Sequence, residues 1–251
     1  MTQQTLTRLR NLKLTGMADA VQQQLEHAST YEGLPFIERL SLLVEHEQLS
    51  REQRKQARLV KQARLKLQAT VQEVDYQSAR NLERSQVANL AQGEWLRRGQ
   101  NLLITGPCGC GKTYLACALG YQACQQGHST RYYRLPRLLL ELSQAKVDGS
   151  YARLLGQLAR IELLILDDWG LEAVNAEQRN ALLEIMDDRY GKYSTVVVSQ
   201  LPTEEWYASL GDNTLADAIL DRLMHNAHRL SLKGESMRKR RSELTQSEQS
   251  S

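Results

Sequence analysis

One octapeptide limits the possible folds of this chain more than any other stretch: "GPCGCGKT", residues 106–113. The apolar pentapeptide "NLLIT" (101–105) precedes it, and a helix-compatible stretch over 112–126 follows and stops at Gly127. Gly106, Gly109 and Gly111 let the backbone turn tightly and aim successive N–H groups into one concavity. The positive end of the following helix adds to the pull on an anion. The spacing G-x-x-x-x-G-K-[S/T] puts Lys112 where it meets the β- and γ-phosphates of a nucleotide, and the Thr113 hydroxyl where it meets Mg²⁺. Pro107, Cys108, Cys110 and Tyr114 complete the segment read as the nucleotide cradle.

A strand that feeds such a loop belongs to a parallel sheet, and the second half of the chain supplies its neighbours. "TRYYRL" (130–135), "IELLILDD" (161–168), "STVVVS" (194–199) and "HRLSL" (228–232) read as strands. Helical stretches stand between them: "PRLLLELSQA", "YARLLGQLA", about 176–190 and about 214–225. The best strands are apolar throughout rather than alternating, so both their faces are buried. The expected fold class is therefore α/β, a parallel sheet covered by helices on both faces, with its site at the carboxyl ends of the strands.

Asp167 and Asp168 end the third of these strands. A carboxylate there reaches Mg²⁺, and a second orients an attacking water. Asp167 is assigned to the metal and Asp168 to the water. Asp168 is one methylene shorter than the Glu that most hydrolysing proteins of this design carry at that place.

The first hundred residues differ in kind. Residues 3–28 read as helix with a break near Thr15-Gly16, striped by Leu6, Leu9 and Leu12, then by Met17, Val21 and Leu25. Pro35 suits the first turn of a long helix from about Phe36 to Leu67. Its second half, "REQRKQARLVKQARLK", sets seven cations against a single acid, Glu52. Positions 51, 54, 58 and 61 share one helix face. Arg51, Arg54, Lys55, Arg58, Lys61 and Arg64 are the candidate contacts to a phosphate backbone; the alternative is a solvated charged face. Few aromatics interleave with them, so non-specific duplex binding is expected.

Charge follows the same division. Residues 1–100 carry 15 Lys/Arg against 11 Asp/Glu, residues 101–232 carry 12 against 15, and residues 233–251 carry 5 against 3. A mildly acidic body with basic flanks suits an anionic partner. The expected domains are a helical 1–67, a linker over 68–100 with short helices at "RSQVANLA" and "EWLRRG", a nucleotide-binding 101–241, and a Ser/Gln/Glu-rich disordered tail over 242–251. No apolar run approaches a membrane span and the N-terminus lacks an apolar signal region, so a cytoplasmic chain is expected. Cys-x-Cys at 108–110, with no second pair nearby, is poor zinc spacing; the four cysteines read as reduced thiols.

"GPCGCGKT" and "LLILDDWG", together with "VVVSQLP", "LADAILDRLMHNAHRLSLKGESMRKRR" and the opening "LRNLKLTGMADA", resemble the IstB-like ATP-binding helper proteins of bacterial insertion sequences. These belong to the AAA+ ATPases and lie close to DnaC-type helicase loaders. The resemblance is strongest over 100–241. It implies an AAA+ core with a C-terminal lid absent or minimal, and ATP with Mg²⁺ as cofactors. It also implies slow ATP hydrolysis, a homo-oligomer with shared ATP sites, and double-stranded DNA and a cognate transposase as partners. Gln200 takes the sensor-1 position, which contacts the γ-phosphate or the attacking water. Arg222 in "LDRL" matches the arginine finger that reaches a neighbouring subunit's γ-phosphate. Arg238 is the nearest match for a sensor-2 arginine, in a basic tail. Cys108 and Cys110 stand where threonine is more familiar in this family. Two other readings compete: a helicase loader on the same fold, and a small-molecule kinase. A kinase needs an Arg-rich lid, and residues 136–160 hold only Arg137, Arg153 and Arg160, unclustered.

Overall fold

The computed structural model describes residues 2–76, 80–211, 213–234 and 237. It divides into two compact units, Met1–Arg58 and Leu59–Ser251.

The first unit is helical: α1 (Thr2–Asn11), α2 (Thr15–Glu26), α3 (Ala28–Tyr31) and most of α4 (Phe36–Ala63). The expected break at Thr15-Gly16 falls where α2 begins. Small residues explain the packing of α2 on α4: Gly16, Ala18 and Ala20 are buried. A Cβ on Gly16 would come within 2.8 Å of Ser50 Cβ and 2.9 Å of Glu47 Cα, so the two helices touch almost backbone to backbone. Buried Glu47 ties the junction. Its carboxylate accepts the Met17 N–H at 3.1 Å and pairs with Arg51 at 2.7 Å and Arg54 at 3.5 Å. The predicted leucine stripe is only partly covered; Leu6 is buried, while Leu12 and Leu25 stay exposed.

The second unit starts in the last turns of α4, where Leu59 and Ala63 pack against Cys124. Arg64 adopts a left-handed φ of +50°, which ends the helix short of the expected Leu67. Two short helices follow, α5 (Arg84–Ala91) and α6 (Glu94–Arg97). The stretch 68–100, expected to be a linker, is packed. Ala69, Val74, Val87, Leu90, Trp95 and Leu96 are buried in a cluster shared with the sheet. Their apolar surface is what anchors the segment.

Then come β1 (Asn101–Thr105), α7 (Lys112–Gln125), β2 (Thr130–Arg134), α8 (Leu135–Val147), α9 (Tyr151–Leu158), β3 (Leu163–Trp169), α10 (Ala176–Arg189), β4 (Ser194–Ser199), α11 (Trp206–Leu210), α12 (Asn213–Met224) and β5 (Ala227–Ser231). Asn175 opens α10 with a reciprocal cap, exchanging side-chain to backbone hydrogen bonds with Gln178. The strands lie in the order β2-β3-β4-β1-β5, every neighbouring pair parallel. Leu102, Ile104, Ile165, Val196 and Val198 face α5, α6 and α7. Leu103, Leu164, Leu166 and Val197 face α8, α10, α11 and α12. Both faces are thus covered, as the unbroken apolar runs predicted. After β1 the chain leaves for the β2 edge and returns through β3 and β4, so the carboxyl ends of β1 and β4 flank the crevice where such folds bind ligands.

One irregularity matters for the site. Leu166 pairs with Val197 but Trp169 with Ser199, so β3 carries one residue more than β4 over this stretch. Asp167 and Asp168 form that bulge, and Asp168 has a φ of +63°. Aspartate is among the few side chains that tolerate this region. Behind the bulge, Trp169 packs on Trp206 of α11 with ring centroids 5.3 Å apart.

Candidate nucleotide site

The loop after β1 has the backbone its glycines allow, with φ of +142° at Gly106, +82° at Gly109 and +96° at Gly111. At Gly106 even the space is taken: a Cβ would lie 2.3 Å from the Leu232 carbonyl oxygen. Lys112 opens α7 and is only 7% exposed. Its ammonium donates to the Gly106 and Pro107 carbonyls, each at 2.7 Å, and so spans the loop from within.

The two residues assigned to Mg²⁺ meet although 54 positions apart: Thr113 Oγ1 donates to Asp167 Oδ2 at 2.9 Å. A hydroxyl and a carboxylate are the hard oxygen donors that Mg²⁺ takes, and it uses few protein ligands beside substrate phosphates. Thr113 and Asp167 therefore fit the ion.

Asp167 is held from several sides. Tyr132 donates its hydroxyl to Oδ2 at 2.6 Å, the Asp168 N–H donates to Oδ1 at 2.9 Å, and Lys66 Nζ stands 3.7 Å from Oδ2. Burial, then the hydrogen bond to Asp167, pushes the Tyr132 phenol far above its ordinary value, so it stays protonated and keeps donating. Asp168 is fixed by a 2.5 Å ion pair from Arg134 Nε to its Oδ2. Ser199 ends β4 by donating to the Trp169 carbonyl at 2.8 Å and accepting the Leu201 N–H at 3.0 Å; Gln200, between them, is exposed. A cavity of about 300 Å³ collects Gly109, Lys112, Thr113, Asp167, Asp168 and Gln200. That volume is at the lower end of small-ligand sites.

Other expected site residues lie elsewhere. Arg222 sits at the opposite end of the sheet, where Asn101 at the start of β1 donates its side-chain amide to the Arg222 carbonyl at 3.1 Å. Its guanidinium pairs with Asp187 of α10 and donates to the Ala218 carbonyl at 2.7 Å. Five strand residues, roughly 16 Å at about 3.3 Å each, separate that end from the loop. Arg51, Arg54, Lys55 and Arg58 are exposed on the first unit, with Arg51 and Arg54 committed to Glu47. Lys61 and Arg64 are exposed on the second unit. Arg238 lies outside the described residues.

Residues in the cavity or touching its carboxylates that the sequence did not assign to it include Lys66, counted there with the basic helix, and Glu73, Asp75, Arg80, Tyr132 and Arg134. Arg134 had the nearest thing to a signal, because it stands at the carboxyl end of a strand, where the site was expected. The others are brought in by packing alone.

Known proteins resemble the chain over nearly its whole length. It is 48% identical over 235 residues to a protein of Sinorhizobium fredii named as insertion sequence ATP-binding protein y4pL, covering 94% of this chain and 96% of that one. It is 48% identical over 204 residues to a protein of Pseudomonas fluorescens named as the ATP-binding protein of insertion sequence IS1162, covering 81% of this chain and 88% of that one. Among solved structures it resembles the DnaC helicase loader, with a TM-score of 0.57 and 20% identity over 66% of this chain and 97% of that one. At that identity the likeness speaks for the fold alone. The model of the IstB-like ATP binding proteins matches residues 7–245, and with relatives of such identity over such a length, the chain belongs to that family.

Proposed function

We propose that this chain is an ATP-controlled switch of an insertion sequence. It binds ATP with Mg²⁺ at the loop, assembles on duplex DNA with ATP sites shared between protomers, and assists a transposase in choosing or engaging target DNA. The observation that carries the reading is the contact of Thr113 with Asp167 beside the buried Lys112, at the head of a bulged strand, in a member of this family. A hydroxyl, a carboxylate and an ammonium converging on a Gly-rich loop are suited to a nucleoside triphosphate with its metal. Thr113 and Asp167 would hold the metal, which would supply charge neutralisation on the phosphates.

The remaining roles fall to this chain's own residues. Lys112 faces the β- and γ-phosphates, with the N–H groups of residues 108–113 around them. Asp168 orients the attacking water: Arg134 occupies Oδ2 and leaves Oδ1 for the water. Gln200 contacts the γ-phosphate or the water, and Arg222 comes from the neighbouring protomer. The kinase reading finds no support in α8 and α9, which pack on the sheet through Leu138, Leu139, Leu142 and Leu158.

Two measurements test this division. Asp168→Asn is expected to leave ATP affinity within about threefold while slowing phosphate release by 100-fold or more, since a positioned base contributes roughly 10²–10⁴-fold. Equal loss of binding and turnover would move Asp168 to the metal. For DNA, Arg51 and Arg54 already serve Glu47, so Lys55, Arg58, Lys61 and Arg64 are expected to carry the phosphate contacts. Changing these four to Gln should lower the slope of log affinity against log salt by about 0.9 for each DNA phosphate left without its cation. Arg51→Gln with Arg54→Gln should change the slope by less and lower the stability of the first unit instead. An unchanged slope in the fourfold variant would leave the basic helix as a solvated face.

A further inference from the structure

We infer that Arg80 is a ligand of the nucleotide's phosphate chain, built into the segment that precedes β1. This rests on the reading of the loop as an ATP site. Arg80 lines the same cavity and is only 6% exposed. Its backbone is fastened to the end of β5: the Lys233 N–H donates to the Arg80 carbonyl at 2.9 Å. The next residue, Asn81, turns through a φ of +54° and donates its side-chain amide to the Ser231 carbonyl at 3.0 Å.

The guanidinium lies directly on the phosphate loop. Nη1 donates to the Cys110 carbonyl at 3.3 Å, and a Cβ on Gly111 would come within 2.7 Å of Nη1. Gly111 is required for its left-handed φ, and the Arg80 guanidinium fills the space beside its Cα. The rest of the guanidinium is unsatisfied: Nε and Nη2 are buried and have no hydrogen-bond partner. Glu73, Asp75, Asp167 and Asp168 line the same cavity, and among the described residues no carboxylate forms an ion pair with Arg80; Glu73 accepts the Tyr114 hydroxyl at 3.1 Å.

Arginine does not shed its charge on burial, so an uncompensated guanidinium in the interior costs stability. A protein retains such a group where an anion arrives to pair with it. The anion that this cavity is shaped for is the phosphate chain, and Arg80 holds two buried, unpartnered nitrogens, Nε and Nη2, beside the loop that cradles it. A cation from the preceding segment then joins Lys112 on the phosphates. Nucleotide binding would thereby draw on the end of β5, to which Arg80 and Asn81 are fastened.

The test separates a ligand from a structural arginine by the sign of its effect on the nucleotide-free protein. Arg80→Gln removes the buried charge and, being shorter, gives up the single long bond to the Cys110 carbonyl. The nucleotide-free variant is expected to melt at or above the wild-type temperature. Its affinity for a fluorescent ATP analogue should fall about 10- to 100-fold, the range for removal of a hydrogen bond to a charged group. Its affinity for adenosine, which has no phosphate, should be unchanged. Wild-type ATP affinity in Arg80→Gln would overturn the inference. So would a variant that melts lower or does not fold, because the arginine would then be holding the empty unit together. Equal weakening of ATP and adenosine would also overturn it, by moving Arg80 to the base or ribose. Lys112→Ala measured in parallel keeps the underlying reading separate: if it binds ATP as wild type does, the loop assignment fails, whatever Arg80 does.

Discussion

Replacing Lys112 with alanine is expected to weaken ATP binding by about 100- to 1,000-fold while leaving the second unit folded. Hydrogen bonds to charged groups are worth roughly 1.5–3 kcal/mol each, and removing one partner of a desolvated charge pair costs about 3–5 kcal/mol. A net loss of about 3–4 kcal/mol corresponds to two to three decades in affinity. The effect on the nucleotide-free fold is smaller. Lys112 donates to the carbonyls of Gly106 and Pro107, and water can replace it at the mouth of the loop. The β1 and α7 packing around it, through Leu102, Ile104, Leu115 and Leu119, does not involve the ammonium. A fluorescence titration with labelled ATP, read beside a melting curve, checks both halves. Normal affinity in a folded Lys112→Ala chain would remove the loop from the nucleotide site.

The parts of this site that were legible in the sequence are those fixed by local chemistry. Glycines at set spacing dictate the loop, and apolar runs of five to seven residues dictate strands buried on both faces. A carboxylate at the end of one such strand lands beside the loop because parallel strands share an end. What was not legible depends on partners far apart in the chain. Nothing around Arg80 marks it, because its environment is made by Cys110, Gly111 and Lys233. Tyr132 and Lys66 reach Asp167 from 35 and about 100 positions away, and ordinary strand and helix-end positions give no hint of it. The bulge at Asp167–Asp168 was equally hidden, because register is a property of two strands and not of one. The 68–100 stretch read as a linker because its apolar residues are spread thinly; they bury only once α7 and the sheet are present. In the first unit the cation face was readable from spacing, but the commitment of Arg51 and Arg54 to Glu47 was not.

Arg222→Ala is expected to keep ATP affinity and to lose DNA-stimulated hydrolysis by about 10³-fold or more, with loss of ATP-dependent assembly. An arginine supplied in trans contributes roughly 10³–10⁵-fold in well-studied nucleotide switches. The position agrees with supply in trans. Arg222 stands at the amino-terminal end of β1, whereas the chain's own loop follows the carboxyl end, too far for its side chain to cross. The competing explanation is visible in the same place, an ion pair with Asp187 that would make Arg222 a surface brace between α12 and α10. The pair is about a third to half exposed, where such bridges contribute little, roughly 0–1 kcal/mol. Asp187→Asn therefore separates the two roles. A brace loses the same stability from either side, so Asp187→Asn would copy Arg222→Ala. A finger is released by the loss of Asp187, so hydrolysis in Asp187→Asn should stay at or above the wild-type rate. Mixing Arg222→Ala with Lys112→Ala supplies the last step. At a mixed interface the Lys112→Ala protomer lends its intact arginine to the ATP held by its neighbour. Partial recovery of hydrolysis, absent from either variant alone, is the expected result, with sedimentation confirming that the two variants assemble together. Co-assembly without recovery, or wild-type turnover in Arg222→Ala, would leave Arg222 as the brace and place the stimulating charge on another residue.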